Sequence, residues 1–346
     1  VIIGGGDRGV VAACSYEARK FGVHSAMPMK MARIRCPEAI VLRGDMERYS
    51  KYSRLITDII SDQAPVYEKT SIDEFYLDIT GLDRFIGASQ WASELRERII
   101  SESGLPISMG LSSNKTVSKV ATGEAKPCGK LRVDPGSERP FLAPLPVQRI
   151  PMIGPKTTQT LQQLGVNRIL TLQQMPVDML VQVFGKNGKH IWERANGIDN
   201  SKVEPYTERK QMSTEQTFEE DTIDIDMVGR SLVKMTEELA GKLRESGKLT
   251  GCIRVKIRYA NFDTHTRQVN IPYTSLDHHI LPHVKSLFAS VYERRMRIRL
   301  VGVSFTALIQ GNYQINLFDN VAQIKLYQAM DHLNRKWGKR LVQRAV

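Results

Sequence analysis

Ser71-Ile72-Asp73-Glu74-Phe75-Tyr76-Leu77-Asp78-Ile79-Thr80 is the stretch on which the reading of this chain turns. It is rich in aromatic and β-branched residues and is closed by Gly81, which predicts a strand over 71–80. Asp73 and Glu74 are adjacent within it, and adjacent strand residues point to opposite faces. Both carboxylates reach one metal only if the pair lies at a turn or a strand entrance, which Pro65 to Thr70 just upstream makes plausible. Hard divalent cations such as Mg²⁺ take carboxylate oxygens plus phosphates, and two-metal phosphoryl transfer needs several carboxylates converging. A bare Asp-Glu dipeptide is more often a solvated pair beside a hairpin, so the surrounding sequence has to decide.

Downstream, Ile107 to Ser112 is a second strand candidate, after which Ser112-Ser113 can cap a helix running through Lys119 and Val120 to Lys126-Pro127. Upstream, Val1-Ile2-Ile3 reads as a strand entering a glycine turn. It is followed by Tyr16-Glu17-Ala18-Arg19, where a phenol and a guanidinium three residues apart share one face of a helical turn. Both groups can hydrogen-bond phosphate oxygens. Residues 1–147 therefore form a first α+β region, and Pro135, Pro140, Pro144 and Pro146 mark its end. Residues 148–200 are short helices broken by glycines, and 201–211 are a polar linker. From Met212 a helix over about 226–246 carries Val228, Leu232, Met235, Leu239 and Leu243 at helical spacing. It leads into Cys252 to Tyr259, whose period of two puts Arg254, Lys256 and Arg258 on one face. A helix over about 276–294 and a strand over 297–305 close a small α+β domain near residue 310. His278, His279 and His283 carry no metal site, because Pro282 interrupts the helix and no Cys or carboxylate joins them. A last helix carries Ile324, Tyr327, Met330, Leu333, Trp337 and Leu341 on one face.

The 346 residues suffice for two or three domains. Hydrophobic residues at 41% and charged residues at 25% exclude a disordered, collagenous or coiled-coil chain. No apolar run approaches the roughly 18 residues of a membrane span, so no membrane partner is expected. Cys14, Cys36, Cys128 and Cys252 form no C-x-x-C pair, which excludes a zinc knuckle and fits a reducing, cytoplasmic compartment. The net charge of +12 suits attraction to a polyanion such as nucleic acid.

Taken together, the Tyr16 to Pro28 stretch, SIDEFYLD, and Ser113-Asn114-Lys115…Lys119…Ala125-Lys126-Pro127-Cys128-Gly129 resemble the Y-family translesion DNA polymerases, and among them the DinB branch. The resemblance covers nearly the whole chain. It implies an α+β multidomain protein with palm and fingers over 1–147, a helical thumb with a helix-hairpin-helix over 148–200, and an α+β little finger over 212–311. It implies template-directed DNA synthesis past damaged bases, with two Mg²⁺ ions held by Asp73 and Glu74. Tyr16, Arg19 and Lys126 match the residues that hold the incoming triphosphate. Primer–template DNA and deoxynucleoside triphosphates are the implied partners, and a monomer is expected. Two positions depart from the family: Ala13 stands where a Thr is frequent, and Cys128 replaces the Asn of the K-P-N-G turn. Members begin with a strand carrying another metal-binding Asp and then an aromatic steric gate against ribonucleotides. Nothing before Val1 supplies either, so an incomplete metal site, weak magnesium binding and little synthesis are expected of this chain. The alternative is a non-catalytic DNA- and clamp-binding protein.

Three further segments complete the reading. Ile150 to Lys156 followed by a helix reads as a helix-hairpin-helix in which Gly154 makes a tight turn and amides beside Lys156 receive a DNA phosphate. Arg254, Lys256, Arg258, Arg297 and Arg299, with Arg294 and Arg295 nearby, are expected to grip duplex backbone rather than to guard a sheet edge. In the tail over 312–346, Gln314-Ile315-Asn316-Leu317-Phe318 fits the Q-x-x-L-F pattern that docks on the β sliding clamp, with Leu317 and Phe318 as apolar anchors and Gln314 as a hydrogen-bonding one.

Overall fold

The computed structural model describes residues 1–6, 8–82, 87–205, 208–292, 296–311 and 321–337. They divide into two compact units, one formed by residues 45–207 and the other by 1–44 together with 208–346.

In the 45–207 unit, α3 (Met46–Gln63) starts at Asp45, whose carboxylate accepts the Arg48 amide at 3.0 Å. The hairpin of β4 (Val66–Lys69) and β5 (Phe75–Asp78) follows, paired Val66 to Asp78 and Lys69 to Phe75. After α4 (Ala88–Ser103), the parallel strands β6 (Met109–Leu111) and β7 (Lys130–Arg132) flank α5 (Lys115–Glu124). Phe75 and Leu77 lie against Ile59, Ile60, Trp91, Leu95 and Ile99, so alternate hairpin residues meet the α3–α4 pair. The helices α6 (Glu138–Leu142), α7 (Pro155–Gln163), α8 (Ile169–Gln174), α9 (Val177–Phe184) and α10 (Lys186–Ala195) share one core with Val117, Val120 and Ala121 of α5. The regular strand begins at Phe75, later than the expected 71, because the chain is still turning through Ser71 to Asp73. The cap of α5 is Asn114, whose side chain accepts the Val117 amide at 3.0 Å, in place of the expected serines.

In the other unit, β1 (Ile2–Gly4) lies between β2 (Val11–Cys14), antiparallel to it, and β3 (Val41–Leu42), parallel to it. The helices α1 (Tyr16–Lys20) and α2 (Met29–Arg35) bury Ala18, Met29 and Ala32 with Ile2 and Val11. Residues 208–311 form an antiparallel sheet in the order β10-β9-β11-β8, made of β8 (Gln211–Thr222), β9 (Lys248–Tyr259), β10 (Thr264–Thr274) and β11 (Ile298–Gln310). One sheet face, with Ile253, Val255, Ile257, Val303 and Phe305, packs on α11 (Ile225–Glu245) and α12 (Asp277–Val291). The helix α12 runs through Pro282, which therefore does not interrupt it. A proline in a helix interior forfeits one backbone hydrogen bond. Here Ile280, Leu281 and Val284 on both sides of it are buried in compensation. The last helix, α13 (Val321–Trp337), buries Tyr327.

Candidate active site

The acidic pair lies in the hairpin loop and not in the regular strand. Both Thr70 and Ser71 donate their amides to the Glu74 carbonyl, at 3.1 and 3.4 Å, and Ser53 donates its hydroxyl to the Ile72 carbonyl at 2.5 Å. The loop is thus fixed to α3, and Asp73 and Glu74 lie in it with exposed side chains, in the two positions before β5 begins. The opposite-face problem disappears because neither residue is in the strand. Asp73 accepts the Ser71 hydroxyl at 2.6 Å, and Glu74 meets the Lys119 ammonium at 2.5 Å.

The helix α5 braces this hairpin. Lys115 lies 2.6 Å from Glu68 of β4 and over the Tyr76 ring of β5 at 5.1 Å. Glu68 also accepts the Glu204 amide at 2.9 Å. Burial alone would raise the Glu68 carboxyl, but the Glu204 amide and Lys115 outweigh it and hold it below the usual range. Asp199 accepts the amide and hydroxyl of Thr116, at 3.0 and 2.7 Å, and those of Ser201, at 3.0 and 2.5 Å. Burial again pushes upward, and these hydrogen bonds hold Asp199 below the usual aspartate range. Burial first, then the charges of Glu74, Asp199 and Glu68, raise the Tyr76 phenol.

At the other end of α5, Lys126 is exposed and precedes a cis bond to Pro127. The turn is held by Arg96, which donates to the Cys128 carbonyl at 2.6 Å and lies 3.3 Å from its sulfur, while its Nε donates to the Ile107 carbonyl at 3.0 Å. Gly129 is required here, since a Cβ would fall 2.3 Å from the Ala125 carbonyl oxygen. Sequence reasoning missed Arg96, Glu68, Lys115 and Asp199 as members of this constellation. Their partners are 32, 47 and 83 residues away, and no local pattern announces such pairs.

Tyr16 and Arg19 belong to the other unit. They lie on α1 as expected, with the guanidinium carbon 5.6 Å from the phenol ring centroid, and Tyr16 is half exposed.

Two exposed carboxylates fit a hard cation that draws its remaining ligands from water and substrate phosphates, which is how Mg²⁺ is commonly held. Among the described residues no three His, Cys, Asp or Glu side chains converge on one point, so the set is that pair and not a closed cage.

Gly154 does not make the tight turn: its φ of −84° is ordinary, and the left-handed residue is Met152, at φ 71° and 85% exposed. Gly154 is the N-cap of α7, and Lys156 lies exposed in its first turn. Strand β9 is interior to its sheet, flanked by β10 and β11, so its cations guard no edge. Arg254, Lys256 and Arg258 point away from the helices, Arg254 donating to Gln268 at 2.8 Å and Arg258 to Thr264 at 2.9 Å. Lys256 is paired with Glu215 of β8, which reaches it across Gly302 of β11; a Cβ on Gly302 would lie 2.7 Å from Glu215 Cγ. Arg299 is 3.7 Å from Asp221 and 4.6 Å over the Phe262 ring, while Arg297 is exposed. Arg294 and Arg295, and the Gln314, Leu317 and Phe318 motif, lie outside the described residues. His278 accepts or donates to the Tyr327 hydroxyl at 3.1 Å, a contact internal to the fold.

Comparison with known proteins fits this geometry. Residues 1–123 match the impB/mucB/samB family, 135–166 the IMS family HHH motif, and 209–317 the impB/mucB/samB family C-terminal domain. The chain belongs to this family, the Y-family DNA polymerases. It is 38% identical to DNA polymerase IV of Dehalococcoides mccartyi (strain BAV1) over 99% of this chain and 90% of that one. To DNA polymerase IV of Halorhodospira halophila it is 37% identical, over 92% and 90%. Among solved structures, a Y-family DNA polymerase chimera of Dbh and Dpo4 superposes with a TM-score of 0.80 at 23% identity, covering 90% of this chain and 92% of that one. DinB from Sulfolobus solfataricus superposes at 0.60 with the same coverage and identity, and both show the shared fold. Among the described residues no helix is long and apolar enough to cross a membrane.

Proposed function

We propose that this protein copies DNA past damaged bases, with Asp73 and Glu74 as the metal-binding carboxylates. The observation that carries the reading is the hairpin loop, which frees two adjacent carboxylates from strand geometry in a chain of this family. Two Mg²⁺ ions held there would supply Lewis-acid neutralisation of charge on the reacting phosphates. The chain's own residues do the rest. Lys126, and Tyr16 with Arg19 on α1, donate to the triphosphate and stabilise charge developing on the leaving pyrophosphate. Arg96 and Gly129 fix the turn that carries Lys126.

The polar face of β9, with Arg254, Lys256 and Arg258, joins Arg297 and Arg299 in holding duplex backbone. Lys156 and the amides following Gly154 take a further phosphate. Contacts of this kind position the duplex without reading its sequence. Gln314, Leu317 and Phe318 tether the protein to a β sliding clamp, which turns re-encounter with the primer end into a local event. Leu317→Ala with Phe318→Ala should abolish clamp binding in calorimetry and leave clamp-free DNA affinity unchanged.

Primer extension by a version carrying the family's N-terminal strand ahead of Val1, and by the Asp73→Ala variant of that version, tests the central claim. Extension should vanish in the variant while primer–template affinity stays within a few-fold. Extension that survives would remove Asp73 from the site. Binding of primer–template without extension, with that strand present, would favour the DNA- and clamp-binding reading.

A further inference from the structure

The two lysines that α5 turns toward the hairpin have different surroundings. Lys115 and Lys119 are four apart and share one helix face. The Lys115–Glu68 pair is sheltered, with 18% of each side chain exposed, and the Tyr76 ring lies beside it. It joins the helix to β4 and β5. The Lys119–Glu74 pair is at the open end, with 38% and 46% exposed, so its ammonium can exchange for another cation.

The two carboxylates of the loop are also unequal. Asp73 is met by a neutral hydroxyl, that of Ser71. Glu74 is met by a full positive charge. Its backbone is pinned separately, through the carbonyl that takes the Thr70 and Ser71 amides, so its carboxylate is the part left to change partners.

We propose that Lys119 is a built-in counter-cation of the metal site, occupying Glu74 until a divalent ion displaces it and thereby setting how much metal the site needs. This rests on the reading of Asp73 and Glu74 as metal ligands. A divalent ion arriving at the pair breaks an ion pair at Glu74 but only a hydroxyl contact at Asp73. Lys119 therefore acts through Glu74 as a positioning residue. It keeps the empty site's acidic pair from carrying two uncompensated charges, and it lowers affinity for the free ion.

The test is a Mn²⁺ titration of the whole chain followed by electron paramagnetic resonance, with denaturant midpoints recorded for each variant. Lys119→Met should bind Mn²⁺ about two- to fivefold more tightly, the worth of an exposed ion pair. Lys119→Arg, which keeps the charge, should stay at the parent value. Lys119→Gln serves as the neutral variant if Lys119→Met lowers the midpoint. Unchanged or weaker Mn²⁺ binding in a folded neutral variant overturns the proposal. Asp73→Asn separates the two claims: if it leaves Mn²⁺ binding intact, the metal reading itself fails. If it abolishes binding while the neutral Lys119 variant matches the parent, only the role of Lys119 falls.

Discussion

Asp199 shows how much one side chain outside any motif can contribute. Its carboxylate takes the Thr116 and Ser201 donors at the start of α5, the helix that carries Lys115 and Lys119. Asp199→Ala should cost about 0.5–2 kcal/mol, the usual worth of a capping side chain, read from the denaturant midpoint at pH 7. Its pH dependence has a definite sign. Because the folded carboxyl is held below its ordinary value, the contribution is fully present above about pH 3.9 and is lost as pH falls through the lower folded value. Glu68, also held low, behaves in the same way from its own ordinary value downward. The gap between the parent and Asp199→Ala should therefore close in strong acid; a gap constant from pH 7 to pH 2 would show that the charge is not what matters.

At the scale of elements, β9 displays its cations inside a sheet, where their neighbours are fixed by register. Gly302 leaves the gap through which Glu215 reaches Lys256. Within the proposed DNA surface, that glutamate holds the lysine as a phosphate would. Glu215→Gln should free Lys256, strengthen duplex binding, and steepen the dependence of log affinity on log salt by up to roughly 0.9. Fluorescence anisotropy across a salt series on unrelated sequences checks it, and an unaltered slope would place Lys256 off the DNA. The companion variant, Arg254→Ala with Lys256→Ala, should flatten the slope equally on every sequence, because phosphate contacts carry no base information. The strand and its alternation were legible from Cys252 onward, since a period of two is a local signal. That the strand is interior, and that Lys256 already has a partner 41 residues away, was not.

On the scale of the whole molecule, the partly buried guanidinium of Arg244 helps tie α13 to the 208–311 domain. Arg244 of α11 lies 2.6 Å from Asp331 of α13 and 2.8 Å from Asp277 of α12, and stacks over the Tyr327 ring at 5.1 Å. Burial would lower its pKa, and the two carboxylates more than compensate, so it stays charged. Arg244→Met should cost about 1.5–3 kcal/mol, the usual worth of hydrogen bonds to a charged group. Asp331→Asn, on the more exposed carboxylate, should cost clearly less, and comparison of their denaturant midpoints checks the order. The sequence by itself determined some of the elements, among them α5, α11, β9, α12 and β11, because helical and strand periods, caps and turn residues act over a few positions, but α3, α4, β8 and β10 were not read from it. It also determined the family, through SIDEFYLD, the Tyr16 to Arg19 turn and the Lys126-Pro127 segment, whose residue types suit phosphate and metal chemistry. It left Lys119 without a role and misplaced the turn at Gly154, whose left-handed residue is Met152. Only the tertiary structure decided which charges meet: Lys119 with Glu74, Lys115 with Glu68, Thr116 with Asp199, Arg244 with Asp331. The physical reason is range. An ion pair forms where packing brings two groups within about 4 Å, whatever their separation along the chain.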